Sequence, residues 1–513
     1  MQSNPTKYKV CIISALYEPY GRGGAEKIAE LVACGLLENG HKVFVVTSKP
    51  WQGFFSLLPK VSTPSSAQGG SASGGNSPYP RQVGAGGEII FAPSPCFRKT
   101  EIGGGGGGVK IYRFFPLNIF SFANIGKYTL FFRLIWRILD TFNLHSFLVL
   151  WYILKKEQPD FVWTQNITGL GLLTPMLLKI LKIPHIHTLH DVSLIEPSGL
   201  IVKDKENGGL LIRLVWSAIT RKLFGSPLLV VSPSKWLLDF YLEHRFFSAR
   251  GGSAFGGKNS KVLVKQNPVE IPLNPPLLKG ENPYPTSPFQ KGGGKEGDLE
   301  KKEIKKDEIN FLYIGQLEKQ KGILFLISIL EELARPHPIP RLRQVGAGIP
   351  VVENDLGTSP SPREGEEGGG GFNFNLSVVG TGKLLPLLKK MAETRDWLTV
   401  YGKLDGEDIS KIWKKTNLTI VPSLIYENSP TVIYESLSRG IPVIASRIGG
   451  IPELVEDNKN GLLFEAGDGK DLKNKLIQIL QNPQILDNLK QKALTFEAKT
   501  PIIYVREILD VII

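Results

Sequence analysis

The chain has 513 residues, 42% of them hydrophobic, which is enough for roughly two or three domains with separate cores. Its net charge of +13 suits a nucleic acid, an anionic membrane or an anionic substrate. The basic residues are scattered and no nucleic-acid motif appears, so we expect no nucleic-acid partner. The cysteines Cys11, Cys34 and Cys96 lack metal or disulfide spacing, which favours small buried thiols in a reducing, cytoplasmic compartment.

Short β-branched runs alternate with helical patterns in both halves of the chain, which predicts an α/β protein with parallel sheets. The first half contains a helix at Ala25–Glu38 and strands at Lys9–Ser14, Lys42–Thr47, Asp160–Thr164, His185–Leu189, Leu228–Ser232 and Lys261–Val264. The second half contains strands at Asn310–Gly315, Leu376–Gly380, Leu398–Tyr401, Leu418–Val421, Pro442–Ala445 and Leu462–Phe464. We expect two doubly wound domains, 1–265 and 266–493, facing a cleft, with ligands beyond the carboxyl ends of the strands.

Three tracts interrupt this alternation, at about 52–108, 273–301 and 336–371. They are dominated by Gly, Pro, Ser and charged residues and cannot bury enough apolar surface to offset the entropy of ordering. We interpret them as low-complexity insertions in surface loops, which tolerate length because loop closure becomes costlier only logarithmically.

The segment Phe114–Lys156 is rich in Phe, Leu, Ile and Trp and also contains Lys127, Arg133 and Arg137. Its apolar core, Thr141–Leu154, is shorter than the about 20 residues that a membrane span needs. Basic, aromatic, amphipathic helices can rest on an anionic membrane surface, and ordinary packing on a sheet explains the pattern equally well. Peripheral contact with the inner face of the plasma membrane therefore stays an open alternative.

Two features of the first half indicate a ligand site. In YEPYGRGGAE (Tyr17–Glu26), Gly23 and Gly24 let the backbone approach a ligand at the start of a helix, whose free amides favour phosphate. A glycine-rich turn of this kind is structural about as often. His190 follows a predicted strand and borders the cleft, although a lone His-Asp pair is more often structural.

Two motifs of the second half indicate a ligand with a diphosphate and hydroxyl groups. In FLYIGQLEKQKGI, Lys321 is predicted to open a helix, where a bound anion would compensate for the unfavourable cation. In VPSLIYENSPTVIYESLSRGIPVIAS, Glu427 lies in a loop and Glu435 one turn inside the following helix, with Pro430 at the first helical position. Amides at this helix start suit an anion and the two carboxylates suit hydroxyls, a combination found in a nucleotide-sugar.

The second motif resembles that of the family-four retaining glycosyltransferases, which have the GT-B fold. Their Glu-x7-Glu pattern and Gly-x-Pro-Val-x-Ala tail are matched in register by Glu427, Pro430, Glu435, Gly440, Pro442, Val443 and Ala445. Gly315, Leu317, Lys321 and Gly322 match the family's Gly-Arg-Leu-x-x-x-Lys-Gly motif, with Gln316 in the Arg position. Pro19 and Gly23–Glu26 are similar to its amino-terminal loop.

This resemblance implies a hexosyl-type glycosyltransferase (EC 2.4) that moves a sugar from a nucleoside-diphosphate sugar to an acceptor hydroxyl with retention of configuration. It implies catalytic roles for His190, Glu427 and Lys321. It implies donor binding by Gly23, Gly24, Gln316, Lys321, Thr431, Val432 and Glu435. By the same resemblance, Glu435 would hold the ribose, and Lys321 and the amides near Thr431 and Val432 would hold the diphosphate. Glu427 and His190 would hold the transferred sugar.

We expect no metal or cofactor, and a saccharide or lipid-linked acceptor in cell-surface polysaccharide or glycolipid synthesis. Residues 494–513 should form a helix that returns to the first domain, as in this fold. Two alternatives remain. One is a degenerate, non-catalytic sugar-nucleotide-binding protein, suggested by Gln316, which lacks the charge and the fork of Arg. The other is a GT-B sugar-nucleotide epimerase.

Overall fold

A computed structural model describes residues 6–17, 23–51, 58–62, 81–83, 89–91, 109–122, 125, 128–204, 210–225, 227–247, 261–270, 308–334, 342–343, 351–352, 371–404 and 406–512. Pro19, Cys96, Lys127 and most of the three low-complexity tracts lie outside these residues. Cys11 and Cys34 are buried, as predicted, and no disulfide joins them.

The first sheet has eight strands, and all its neighbouring pairs are parallel except β3 with β6. Its order is β10-β9-β8-β7-β1-β2-β6-β3, and β4 pairs separately with β5. The strands of this half are β1 (Lys9–Ser14), β2 (Lys42–Ser48), β3 (Lys60–Ser62), β4 (Arg81–Val83), β5 (Ile89–Phe91), β6 (Lys110–Phe114), β7 (Phe161–Thr164), β8 (His185–Thr188), β9 (Leu229–Ser232) and β10 (Lys261–Val264).

The second sheet has six parallel strands in the order β15-β14-β11-β16-β17-β18. Both sheets reverse their strand order beside the first strand of the half, at β1/β7 and at β11/β16, which is where doubly wound sheets bind ligands. The strands of this half are β11 (Ile309–Ile314), β12 (Leu342–Arg343), β13 (Val351–Val352), β14 (Phe374–Val379), β15 (Leu398–Gly402), β16 (Leu418–Val421), β17 (Val443–Ser446) and β18 (Gly461–Phe464). The short strands β12 and β13 pair with each other.

Helices cover both sheets, because the central strands are buried and need apolar cover on each face. They are α1 (Gly24–Glu38), α2 (Leu130–Thr141), α3 (Leu144–Glu157), α4 (Thr174–Leu181), α5 (Leu210–Phe224), α6 (Lys235–Glu243), α7 (Ile323–Ala334), α8 (Leu385–Ala392), α9 (Gly406–Lys415), α10 (Thr431–Leu437), α11 (Gly469–Gln481), α12 (Gln484–Ala493) and α13 (Pro501–Ile512).

The last helix lies against the first domain. Asn39 Nδ2 donates to the carbonyl of Ile502 over 2.9 Å, and the ring of Tyr504 stacks on that of Trp163 with centroids 6.4 Å apart. A Cβ at Gly35 would lie 2.2 Å from the carbonyl oxygen of Pro501, so α1 and α13 approach closely. The chain therefore crosses between the two sheets twice.

Two parts of the sequence prediction need correction. Strand β6 was missed. In addition, the tract at 52–108 is not wholly separate from the sheet, because Lys60–Ser62 adds an antiparallel edge strand through pairs such as Val61 with Tyr112. Both strands are short and flank glycine-rich sequence, which hides their alternation.

Candidate active site

A cleft of about 930 Å³ separates the two sheets. The first domain contributes the turn after β1 and the end of β8. The second contributes the turns after β11, β14, β15 and β16, together with the start of α10. The cleft is lined by all nine sequence-predicted site residues: Gly23, Gly24, His190, Gln316, Lys321, Glu427, Thr431, Val432 and Glu435.

Lys321 and Glu427 form an ion pair within this cleft. Lys321 Nζ donates to Glu427 Oε1, and Ser423 Oγ donates to the same oxygen over 2.6 Å. Their side chains are 24% and 15% exposed, so the pair is partly shielded from water and still reachable by a ligand. Lys321, which the sequence assigns to the diphosphate, and Glu427, which it assigns to the sugar, therefore pair with each other in this structure.

Lys321 does not open a helix, as the sequence suggested, but ends a 3-10 turn, Lys319–Lys321, just before α7. Gly322 follows with φ +75, and a Cβ there would lie 1.7 Å from the carbonyl oxygen of Pro422. Only glycine fits this approach, and it brings the Lys321 turn next to the loop that carries Glu427.

Glu435 lies in the second turn of α10 and lines the cleft. Burial raises the pKa of its carboxyl above the usual value, while Arg439 and Lys27 act in the opposite direction. Among the described residues, none donates a hydrogen bond to this carboxylate. Pro430 is the residue preceding α10 rather than its first residue, with φ −63 and ψ 119, so the helix begins at Thr431.

His190 borders the cleft at the end of the first domain's β8. Its Nε2 lies 2.7 Å from Gln165 Oε1, and an N–H there donates to that carbonyl. Burial lowers the pKa of His190 to about 4, so the ring is neutral at neutral pH. A neutral, oriented imidazole can hydrogen-bond a ligand and carries no charge of its own.

Gly23 and Gly24 bring the first domain close to the second. Gly23 N–H donates to Glu26 Oε2 over 2.8 Å. A Cβ on Gly24 would lie 3.2 Å from Cγ2 of Thr431, and one on Gly23 would lie 3.8 Å from Nε2 of Gln316. The glycine-rich turn thus packs across the cleft onto the start of α10. A larger residue in place of Gly24 would push the turn away from Thr431.

Sequence reasoning missed Asn428, which links the two domains beside the site. Its Oδ1 accepts from Ser234 Oγ over 2.6 Å, and its Nδ2 donates to the carbonyl of His190 over 3.2 Å. The position next to Glu427 was the available signal, but the partners lie far away in the chain. Lys383 and Lys403 also line the cleft and add positive charge that Gln316 does not supply.

Comparison with known proteins connects this geometry to a family. Residues 371–496 match the family described as glycosyl transferases group 1. The amylovoran biosynthesis glycosyltransferase AmsK of Erwinia amylovora is 27% identical over 184 residues, 34% of this chain and 42% of that protein. N-acetyl-alpha-D-glucosaminyl L-malate synthase of Bacillus anthracis is 29% identical over 182 residues, 35% of this chain and 42% of that protein.

An uncharacterized glycosyltransferase of Methanocaldococcus jannaschii is 29% identical over 130 residues, 25% of this chain and 37% of that protein. The chain thus matches less than half the length of each of these three relatives. The family match lies within the second domain.

Similarity to solved structures extends over nearly the whole chain. Sucrose-phosphate synthase from Thermosynechococcus elongatus superposes with a TM-score of 0.60 at 15% identity, covering 98% of both chains. Anabaena HepE, solved in complex with UDP-glucose, superposes with a TM-score of 0.54 at 14% identity, covering 98% of this chain and 99% of that one. At such identities the similarity shows the fold alone, and the fold is GT-B, as predicted.

Proposed function

We propose that this chain, whose residues 371–496 belong to the glycosyl transferases group 1 family, is a retaining glycosyltransferase that uses a nucleoside-diphosphate sugar. The observation that carries the proposal is the convergence of nine predicted residues, from both domains, on one cleft. The carbon–oxygen bond between the sugar and the diphosphate breaks, and a bond from that carbon to the acceptor oxygen forms. The proton of the acceptor hydroxyl passes to the departing diphosphate oxygen, and the nucleoside diphosphate leaves.

The second domain holds the nucleotide in this proposal. Glu435 accepts hydrogen bonds from the ribose hydroxyls, which suits a half-buried carboxylate with no donor among the described residues. Lys321 and the amides of Thr431 and Val432 hold the diphosphate and stabilise its charge as it departs. Lys383 and Lys403 supply further positive charge at a site where Gln316 replaces the family's arginine. The proposed reaction uses no metal.

The two residues Glu427 and His190 hold the transferred sugar. Donor binding exchanges partners at the ion pair, because Lys321 turns to the diphosphate and Glu427 to the sugar hydroxyls. Neutral His190 hydrogen-bonds the sugar from the first domain without adding charge to the reacting carbon. Gly23 and Gly24 bring the backbone of the first domain close to the diphosphate.

HepE is described in complex with UDP-glucose and AmsK as a glycosyltransferase of amylovoran biosynthesis, which supports a nucleotide-sugar donor and a saccharide acceptor here. A lipid-linked acceptor, in cell-surface polysaccharide or glycolipid synthesis, is the other class we include. No helix among the described residues is long and apolar enough to cross a membrane. We propose a cytoplasmic site of action.

The test is a thermal-shift screen against UDP-, GDP- and ADP-sugars, followed by turnover assays with the donor that stabilises the chain. The proposal predicts transfer to a saccharide or lipid-linked hydroxyl, with the new bond in the donor's anomeric configuration by NMR. Binding without transfer or hydrolysis over a broad acceptor panel would instead indicate the non-catalytic protein that Gln316 suggests. Interconversion of the donor sugar without acceptor would indicate an epimerase.

A further inference from the structure

Helix α2 is amphipathic with its apolar side turned outward. Phe131, Leu134 and Ile138 are 67%, 59% and 56% exposed, whereas Asp140 on the same helix is 1% exposed. Asp140 Oδ2 accepts from the amide of Gly169 over 3.0 Å. A surface helix of a globular protein normally has the reverse arrangement, with its apolar stripe on the core.

Helix α3 has a second exposed apolar stripe. Leu144, Leu148 and Trp151 follow one another at helical spacing and are 63%, 55% and 45% exposed. The stripe ends in the exposed residues Lys155 and Lys156. Lys156 Nζ lies 5.8 Å from the centre of the Tyr152 ring, which is 52% exposed. Trp and Tyr beside lysine are typical of the boundary between lipid tails and headgroups.

Helix α5 adds a third exposed apolar segment next to α2. The Arg137 guanidinium of α2 lies 4.9 Å from the centre of the Trp216 ring of α5. On α5 the exposed apolar residues are Leu211, Ile212, Leu214 and Val215. Most exposed large apolar side chains of the described residues fall between Leu117 and Val215, so this surface is a property of the first domain. Contiguous apolar exposure of this extent marks an interaction site.

The charges of this surface are predominantly positive. The basic residues of α2, α3 and α5 are Arg133, Arg137, Lys155, Lys156, Arg213, Arg221 and Lys222. The acidic residues of the three helices are Asp140, which is buried, and Glu157, which pairs with Lys9 and Lys110. Arg137 packs on Trp216 and Arg213 pairs with Glu196, so the exposed charges of the three helices are those of Lys155, Lys156 and Lys222.

We propose that the outward apolar face of α2, α3 and α5 docks on a lipid bilayer that contains anionic lipids. Phe131, Leu134, Ile138 and Trp151 insert among the headgroups, and Lys155 and Lys156 contact lipid phosphates. The positive charge favours this occupant over a second copy of the chain, because pairing this face with itself would bring like charges together.

Helix α2, which carries part of the docking face, lies near the candidate active site. Arg137 of α2 interacts electrostatically with Asp191, and Asp191 lines the cleft beside His190. A bilayer on the outward face of the same helix would lie on the first-domain side of the molecule. The docking itself rests on exposure and charge and does not depend on the proposed reaction.

Flotation of the full chain with vesicles, without donor or acceptor, tests this surface. We expect binding to phosphatidylcholine vesicles that contain phosphatidylglycerol, and much weaker binding to phosphatidylcholine alone. The double variant Lys155→Gln/Lys156→Gln should bind the anionic vesicles roughly tenfold or more weakly. The triple variant Phe131→Ser/Leu134→Gln/Ile138→Gln should lose binding to both.

The matched control is Leu387→Gln, because Leu387 is also exposed, at 46%, but lies on α8 of the second domain. It should bind vesicles as the unsubstituted chain does. Melting temperatures and nucleotide binding, measured separately, should be the same in all variants as in the unsubstituted chain. A lower melting temperature or weaker nucleotide binding would identify a misfolded variant. Failure of the unsubstituted chain to float, or flotation of the triple variant, would overturn the proposal. The proposal would also be overturned if the unsubstituted chain sedimented as a dimer while the triple variant sedimented as a monomer and still bound vesicles.

Discussion

The ion pair between Lys321 and Glu427 links two parts of the proposed chemistry. Each charge lowers the cost of burying the other, so the pair keeps both side chains in the cleft before a ligand arrives. A diphosphate next to Lys321 also lies near the Glu427 carboxylate, which opposes the anion. In the proposed complex, the Glu427 carboxylate would thus favour the sugar hydroxyls and disfavour the diphosphate.

This opposition predicts different effects for the two partners. In Glu427→Gln, binding of the nucleoside diphosphate alone should be unchanged or tighter, because a negative charge is removed, while transfer should fall by about 100-fold. In Lys321→Met, nucleoside diphosphate binding should weaken by about 10-fold to 100-fold. Titration calorimetry and initial rates measure the two effects. Equal losses of nucleotide binding in both variants would contradict the assignment.

Buried histidines in β8 predict acid sensitivity of the first domain. Thr164 Oγ1 lies 2.6 Å from His185 Nε2 and 2.7 Å from His187 Nδ1. Burial lowers the pKa of His185 to about 3, so the folded state holds the ring neutral. Its contribution to stability is fully present above the unfolded pKa of about 6.5 and is lost progressively as the pH falls from there towards the folded pKa of about 3.

The urea midpoint should therefore fall between pH 7 and pH 4. The corresponding loss in the free energy of unfolding is on the order of 3 kcal/mol. In His185→Gln the midpoint should be lower at pH 7 and should change less with pH. His244 is exposed, so His244→Gln provides the matched control and should keep the full pH dependence. A His185→Gln slope as steep as that of the control would contradict this explanation.

At the scale of elements, the turn after β17 fixes the loop that carries Glu427. Gly450 N–H donates to the carbonyl of Glu427 over 2.8 Å. Gly449 has φ +61, and a Cβ there would lie 2.2 Å from that same carbonyl oxygen. The Gly-Gly pair lets two loops of the second domain pack backbone to backbone beside Glu427.

Replacement of Gly449 by alanine should therefore displace Glu427 and lower turnover by about tenfold or more. Gly406 offers a control because it also has positive φ, at +57, but a Cβ there meets nothing within 4 Å. Both alanine variants carry similar backbone strain, about 1 kcal/mol or more. Gly406→Ala should lose stability and keep its turnover. Equal turnover in the two variants would show that the close approach is unimportant.

At the scale of the whole molecule, the second domain caps a helix of the first. The Glu453 carboxylate accepts from the amides of Lys235 and Trp236, each over 2.7 Å, at the start of α6. The ring of Trp236 stacks on that of Tyr426, with centroids 5.5 Å apart. These contacts join the two domains beside the cleft that His190 and Glu427 both line.

The variant Glu453→Gln should weaken this cap and favour more open arrangements, because the helix start prefers a full negative charge. Small-angle scattering should show a larger radius of gyration without donor. Asp468→Asn is the control, since Asp468 caps α11 within the second domain alone, through the amides of Lys470 and Asp471. It should leave the radius unchanged. Identical scattering from both variants would argue against the cross-domain cap.

Local pattern was sufficient for most of the fold, and the nine cleft residues were found by local pattern together with the resemblance to the glycosyltransferase family. The strands are short β-branched runs buried on both faces, and turns at their carboxyl ends converge in a doubly wound sheet. The contacts of Asn428 and Glu453 could not be predicted, because their partners lie about two hundred residues away and meet only when the domains close. The sequence of α2 likewise shows its two faces without showing which one points outward.

Titration calorimetry of nucleotide binding tests most directly the claim that this cleft holds a nucleoside diphosphate. The chain should bind a UDP-, GDP- or ADP-sugar and the matching diphosphate in a 1:1 complex. The variant Glu435→Ala should weaken both about 10-fold to 100-fold through loss of the ribose contact, while Glu456→Ala, at an exposed carboxylate, should change neither. No binding by the unsubstituted chain, or equal affinities in Glu435→Ala, would contradict the claim.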